Sequence, residues 1–410
     1  MYSRDKFIFR LRRLLGARPY RISSFLLCVA TIGLTVPLPP EAVAQHLPPP
    51  KRSVVRKLRL TPFYDTPQPF PPGKPGELIR SESFDDYDLP LSVNAVRILY
   101  HSRSAIGEDV AASGVVLLPA EMKPPAGGWP VIAWAHGGTG VARACAPSLR
   151  RNLEHGSFLS MYVNLGYAVV ATDYTGLGTK FRNAFLDAPS NATDVIASIP
   201  AARAAVPQLG SRWIVIGAAE GSLTAVAVAE KQSDSLDQGY LGAIAVSDIG
   251  SAGDVFEHTD QGSPGVVLAF LAYGVKTVYA QFQPADVLTP KGRGLYHQIE
   301  QECSEAGAIA QVASADVMKA NWHGNKFVRE YLERSRPGNM RAYGPILLIS
   351  SNQSVSQRDA TSRMCKEGDR VQWVQYPDLD AGRVIGDSVR DQIAWIEDRF
   401  AARPPITNCP

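Results

Sequence analysis

Histidine is scarce in this 410-residue sequence: there are seven, and none lies beyond His323. That excludes any site needing an imidazole from residues 324–410. Cysteine is also scarce, five in all, with no C-x-x-C pair and no Cys/His cluster, so nothing points to a metal site. A surplus of one charge is missing once the N-terminus is set apart. The chain carries 42 basic and 39 acidic residues. Residues 1–44 hold seven of the former and two of the latter, which leaves 35 against 37, so nothing points to nucleic acid. The apolar run from Ile22 to Leu38 is broken by Pro37, with Pro39 and Pro40 just beyond, and falls short of the roughly 20 residues of a comfortable membrane span.

What is present begins with an export signal. Arg4, Lys6, Arg10, Arg12, Arg13, Arg18 and Arg21 precede that run, and Ala42-Val43-Ala44 closes it. A basic region, a short apolar region and an A-x-A site predict a signal peptide over residues 1–44, cut before Gln45, and a secreted or periplasmic protein. An uncleaved anchor is the rival reading; Leu27 before Cys28 speaks against a lipoprotein. Four cysteines remain, Cys145, Cys303, Cys365 and Cys409. They allow two disulfides in three connectivities, with four free thiols as the alternative. Residues 45–76 hold nine prolines and the patch "KRSVVRKLR". This predicts an extended linker, whose basic patch could touch anionic lipid heads if it lay beside a membrane.

Across the whole chain, hydrophobic content of 45% and charge of 20% suit a globular protein, and one domain is expected from about residue 77 onward. "AVRILYHS" and "AASGVVLLP" predict two early strands. "PVIAWAHGG", "YAVVATDYTG", "WIVIG", "YLGAIAVSD", "GPILLIS" and "RVQWVQYP" read as further, mostly buried strands. Helical stretches near 193–206, 221–231 and 389–400 alternate with them, which predicts an α/β fold with a mostly parallel sheet covered on both faces. Residues 250–343 show no clear strand pattern and predict a helical cap inserted over the carboxyl ends of the strands.

"WIVIGAAEGSLTA" has the layout of a nucleophile elbow, in which a strand turns sharply into a helix and presents a serine as G-x-S-x-G. Here Gly217 and Gly221 flank Ala218, Ala219 and Glu220, so alanine takes the central place. Two arrangements fit: a strained elbow with positive φ at Ala219, or a relaxed turn in which the glycines only let helix and sheet approach.

Five stretches, "PGELIRSESFD", "AHGGTGVARACAPS", "GYAVVATDYTGLGT", "QPADVLTP" and "RSRPGNMRAYGPILL", resemble the bacterial and fungal secretory lipases of the α/β-hydrolase fold. The resemblance runs from roughly Pro72 to Phe400. It implies a sheet of about eight strands, a helical cap, and hydrolysis of esters or triacylglycerols by a Ser–Asp–His triad without a cofactor. It places the serine at Ala219. It places the acid after "PILLI", where Asn352 or Ser354 stands, and the histidine in the loop "DLDAGRV", at Ala381. All three triad positions are replaced. By the same resemblance Gly138, Thr139 and the backbone of Glu220 form the oxyanion hole. The missing late histidine agrees independently, because this fold orders its triad serine, acid, histidine along the chain.

An alanine methyl has no lone pair and forms no acyl-enzyme. Ser222 lies near the elbow but on a different side of the helix, and His258 or His323 could meet Asp173 or Glu220 only by folding over from the cap. Asp173 is expected to hold the loop after its strand. Three functions fit: a non-catalytic member that binds an apolar, ester or lipid ligand under its cap; an esterase with a non-standard nucleophile or base; and a protein-interaction module on a dead hydrolase fold. An apolar cavity at the strand ends favours the first, a filled pocket and an exposed apolar patch the last.

Overall fold

The computed structural model describes residues 56–235, 237–246, 265–303, 312–351, 355–379 and 382–409. One nine-stranded sheet organises them, in the order β1-β2-β3-β5-β4-β6-β7-β8-β9. Its first part is antiparallel: β1 (Leu78–Ser83), β2 (Val93–Arg103) and β3 (Asp109–Pro119), with β3 also antiparallel to β5 (Ala168–Thr172). The rest is parallel: β4 (Trp129–Ala135), β6 (Leu209–Ala218), β7 (Tyr240–Val246), β8 (Pro345–Ser350) and β9 (Arg370–Gln375). The strand beyond the expected eight is β1. Its alternating polar sequence, LIRSES, leaves its second half exposed, so hydrophobic patterning does not reveal it.

The central strands are apolar on both faces because each face is covered. Along β4, Val131, Ala133 and Ala135 join one core, while Ile132 and Trp134 join the other. The same alternation splits Trp213 and Val215 from Ile214 and Ile216 in β6, as a period of two requires. Helices α2 (Ala188–Ala205) and α3 (Glu220–Ser235) cover the first face, where Ala133, Ala135, Ala243 and Ala245 leave room for close approach. Helix α1 (Gly156–Asn164) and the helix Val389–Phe400 cover the second. Asp187 caps α2 by accepting from the Ser190 N–H.

Between β7 and β8 the described chain is helical, chiefly Val266–Val278, Pro290–Ile299 and Lys326–Arg334. Buried Leu268, Phe270, Leu271 and Val275 attach the first of these to the α2/α3 core. No helix among the described residues is long and apolar enough to cross a membrane.

The linker expectation needs correction where the chain is described. Leu58 donates its N–H to Leu149, Phe63 is buried, and Tyr64 is fully buried with its hydroxyl 2.8 Å from Ser148 Oγ. Proline density suggested an extended tether, but the aromatic residues among those prolines bury enough apolar surface to dock it. The cysteines pair as Cys145–Cys303 and Cys365–Cys409, the first joining the loop after β4 to the helical insertion.

Candidate functional site

The site is built where β6 turns into α3. Strand β6 ends at Ala218, α3 starts at Glu220, and Ala219 between them has φ of 52°. Only glycine adopts that region freely; an alanine there costs about 1–2 kcal/mol. The turn is therefore the strained elbow and not the relaxed one. Its flanks need glycine for another reason. A methyl on Gly217 would lie 1.8 Å from the Gly221 carbonyl oxygen, and one on Gly221 would lie 1.9 Å from that of Ala135. Ala219 is anchored by its N–H to the Val246 carbonyl, and its side chain is solvent-exposed. The Glu220 N–H, first in α3, meets no backbone acceptor among the described residues.

The loop after β4 faces this turn. A methyl on Gly137 would lie 3.2 Å from the Ala219 Cβ, and one on exposed Gly138 would lie 3.1 Å from both Glu220 Oε2 and the Phe185 ring. Thr139 is buried, and its hydroxyl has no hydrogen-bond partner among the described residues. His136 is buried against Tyr174, ring centroids 4.2 Å apart, and burial pushes its pKa down to about 4. It is neutral near pH 7 and lies between the carbonyls of Gly137 and Asp173, so it supports the loop.

Glu220 is the feature that sequence reading undervalued. Its half-buried carboxylate turns towards Leu186 and Asn191: Oε1 accepts from the Leu186 N–H at 2.7 Å and the Asn191 amide at 3.1 Å. Burial raises its pKa to about 7; these two hydrogen bonds oppose the rise, and the charge of Glu154 adds to it. Leu153, Glu154, Tyr174 and Leu186 also have positive φ, so several strained non-glycine residues sit in the loops beside the elbow's own Ala219. Such clustering is a mark of functional sites.

The raised value has a testable sign. A carboxyl whose folded pKa lies above its unfolded value, here about 7 against 4.5, favours the fold when protonated. That stability is full below about pH 4.5 and is lost as pH rises through about 7. Urea unfolding across this window is expected to show a decline that Glu220→Gln reduces, since Gln keeps an acceptor for Leu186. An unchanged slope would place the effect elsewhere, with half-buried Glu230 and buried Asp194 the next groups to test.

Asn352, Ser354, Ala381 and His258 lie outside the described residues. Ser222 is buried and gives its hydroxyl to the Ala219 carbonyl at 2.6 Å, so it points back into the helix. His323 is exposed and stacked on Trp322. Asp173 is buried and accepts from Ser113 Oγ, Ser148 Oγ and the Ser148 N–H. Two grooves of about 480 and 430 Å³ lie away from the elbow: Thr193, Ile196 and Trp213 line the first, Ser233, Tyr343 and Arg370 the second.

No family model matches the sequence, and no curated protein matches it either. Solved structures do match. Lipase A of Candida antarctica superposes with a TM-score of 0.70 at 16% identity, over 85% of this chain and 87% of its own. The rice cell wall degrading esterase LipA of Xanthomonas oryzae does so with a TM-score of 0.63 at 17% identity, over 80% of this chain and 98% of its own. At such identities the likeness shows the fold alone: the chain has an α/β-hydrolase fold like that of these two enzymes.

Proposed function

We propose that this protein is an exported relative of the secretory lipases that has lost ester hydrolysis and keeps its elbow loops to bind an apolar molecule, an acyl chain or ester. One observation carries the reading: the elbow keeps its strained geometry and presents an exposed methyl where the attacking oxygen belongs. Ala219 has no hydroxyl proton to give up and forms no bond to a carbonyl carbon. The sequence supplies no histidine after His323, so the usual base after the last strands is missing. Loss of a complete triad lowers the rate by about 10⁶. The leader at residues 1–44 and the two disulfides support export to an oxidising compartment, periplasmic or extracellular.

The test is hydrolysis of short- and long-chain p-nitrophenyl esters by the purified protein and its Ala219→Ser variant, alongside calorimetric binding of long-chain ligands. Neither protein should turn over ester above background, because serine at 219 still lacks a base, while binding should be measurable. Turnover by the native protein would overturn the loss of hydrolysis. Absence of any binding would overturn the ligand-site reading.

A further inference from the structure

The residues around the elbow also indicate what kind of head group it takes, an inference that rests on the ligand-site reading above. An ester hydrolase lines this place with hydrogen-bond donors because negative charge develops there. Here Glu220 brings a carboxylate. Oε1 is occupied by the Leu186 N–H and the Asn191 amide, and Oε2 is directed at the exposed loop glycine Gly138. No cationic side chain pairs with Glu220 among the described residues. Beside it the Phe185 ring borders the same glycine and packs on Phe270 from the insertion, with centroids 4.8 Å apart. A carboxylate with no counter-ion among the described residues, next to an aromatic ring, has the chemistry that recognises an ammonium group. It repels a fatty carboxylate or an oxyanion.

We infer that the elbow of this protein binds amphiphiles of the alkylammonium class, with the cationic head at Glu220 and Gly138 and the chain directed towards the helical insertion. Gly138 admits the head because any side chain there would meet Glu220 and Phe185. Ala219 leaves free the space that a serine hydroxyl would fill.

The experiment is isothermal titration of the purified protein with monomeric dodecylammonium and, separately, dodecanoate at about pH 8, where Glu220 is ionised and the amine still charged. Dodecylammonium should bind at least about tenfold more tightly. Glu220→Gln, with its fold checked by circular dichroism, should abolish that preference. The native protein provides a check without mutation: lowering the pH to about 5 protonates Glu220 but not the amine, so the affinity for dodecylammonium should fall. Equal binding of the two probes, tighter binding of dodecanoate, or a preference unchanged in Glu220→Gln would overturn this inference and leave the ligand site standing. Binding of neither probe would overturn the ligand-site reading and this inference with it.

Discussion

Gly221→Ala is expected to prevent this protein from folding, with loss of soluble yield and no cooperative unfolding transition. The added methyl would sit 1.9 Å from the Ala135 carbonyl oxygen and 2.8 Å from that of His136. Both belong to the backbone at the end of β4, whose Ala135 pairs in register with Gly217. No side chain can swing aside, so either α3 must leave the sheet or β4 must break its ladder. Overpacking a core costs about 1–3 kcal/mol when side chains can adjust. A clash with fixed backbone belongs to the tail of about 5 kcal/mol or more, a large share of a domain's stability. Gly294→Ala is the control. It lies on an exposed helical position where a methyl meets nothing within 4 Å, and it should stabilise by about 0.5–1 kcal/mol. Recovery of Gly221→Ala with urea stability within about 1 kcal/mol of the native protein would show that helix and sheet do not press together as described.

The elbow was legible because its requirement is local. Close approach of α3 to the sheet needs glycine at both 217 and 221, and a four-residue β-forming run precedes them. The central strands were legible for a similar reason: burial on both faces makes them continuous apolar runs. What escaped depends on partners distant in sequence. Strand β1 is polar and held by its ladder to β2, and Tyr64 belongs to the fold because of Ser148, 84 residues away. The pairing of Cys145 with Cys303 spans 158 residues, and spacing alone left three connectivities open. Sequence reading assigned Glu220 a backbone role in the oxyanion hole and no defined place for its carboxylate, since only the fold shows Leu186, Asn191 and Gly138 arranged around that group.

Asp173→Ala is expected to cost about 3–5 kcal/mol, read as a fall in the urea midpoint with little change in slope. The carboxylate is buried and takes three donors: Ser113 Oγ at 2.6 Å, Ser148 Oγ at 2.5 Å and the Ser148 N–H at 2.8 Å. Removing it strands the Ser148 N–H inside the protein and leaves the Ser148 hydroxyl only Tyr64 and the Ser113 hydroxyl only the more distant Leu177 carbonyl, and an unsatisfied buried donor costs more than the bond it made. The effect should spread, because Ser148 is shared. Its carbonyl accepts from the Tyr87 hydroxyl at 2.9 Å, and Tyr87 accepts from Arg97 Nε at the same distance. Arg97 is itself buried, its guanidinium 3.2 Å from the centre of the Phe84 ring. Asp173→Asn should be milder, at about 1–2 kcal/mol, since the amide keeps one acceptor and serine hydroxyls can rotate to receive its N–H groups. The site should register the change as well. The segment Pro147–Leu149 follows Cys145, whose disulfide reaches the helical insertion at Cys303. Hydrogen exchange in Asp173→Ala should therefore rise over residues 143–149 before it rises in β6. Protection lost uniformly across the sheet would instead make Asp173 a general stability element with no special hold on the loop that faces the elbow.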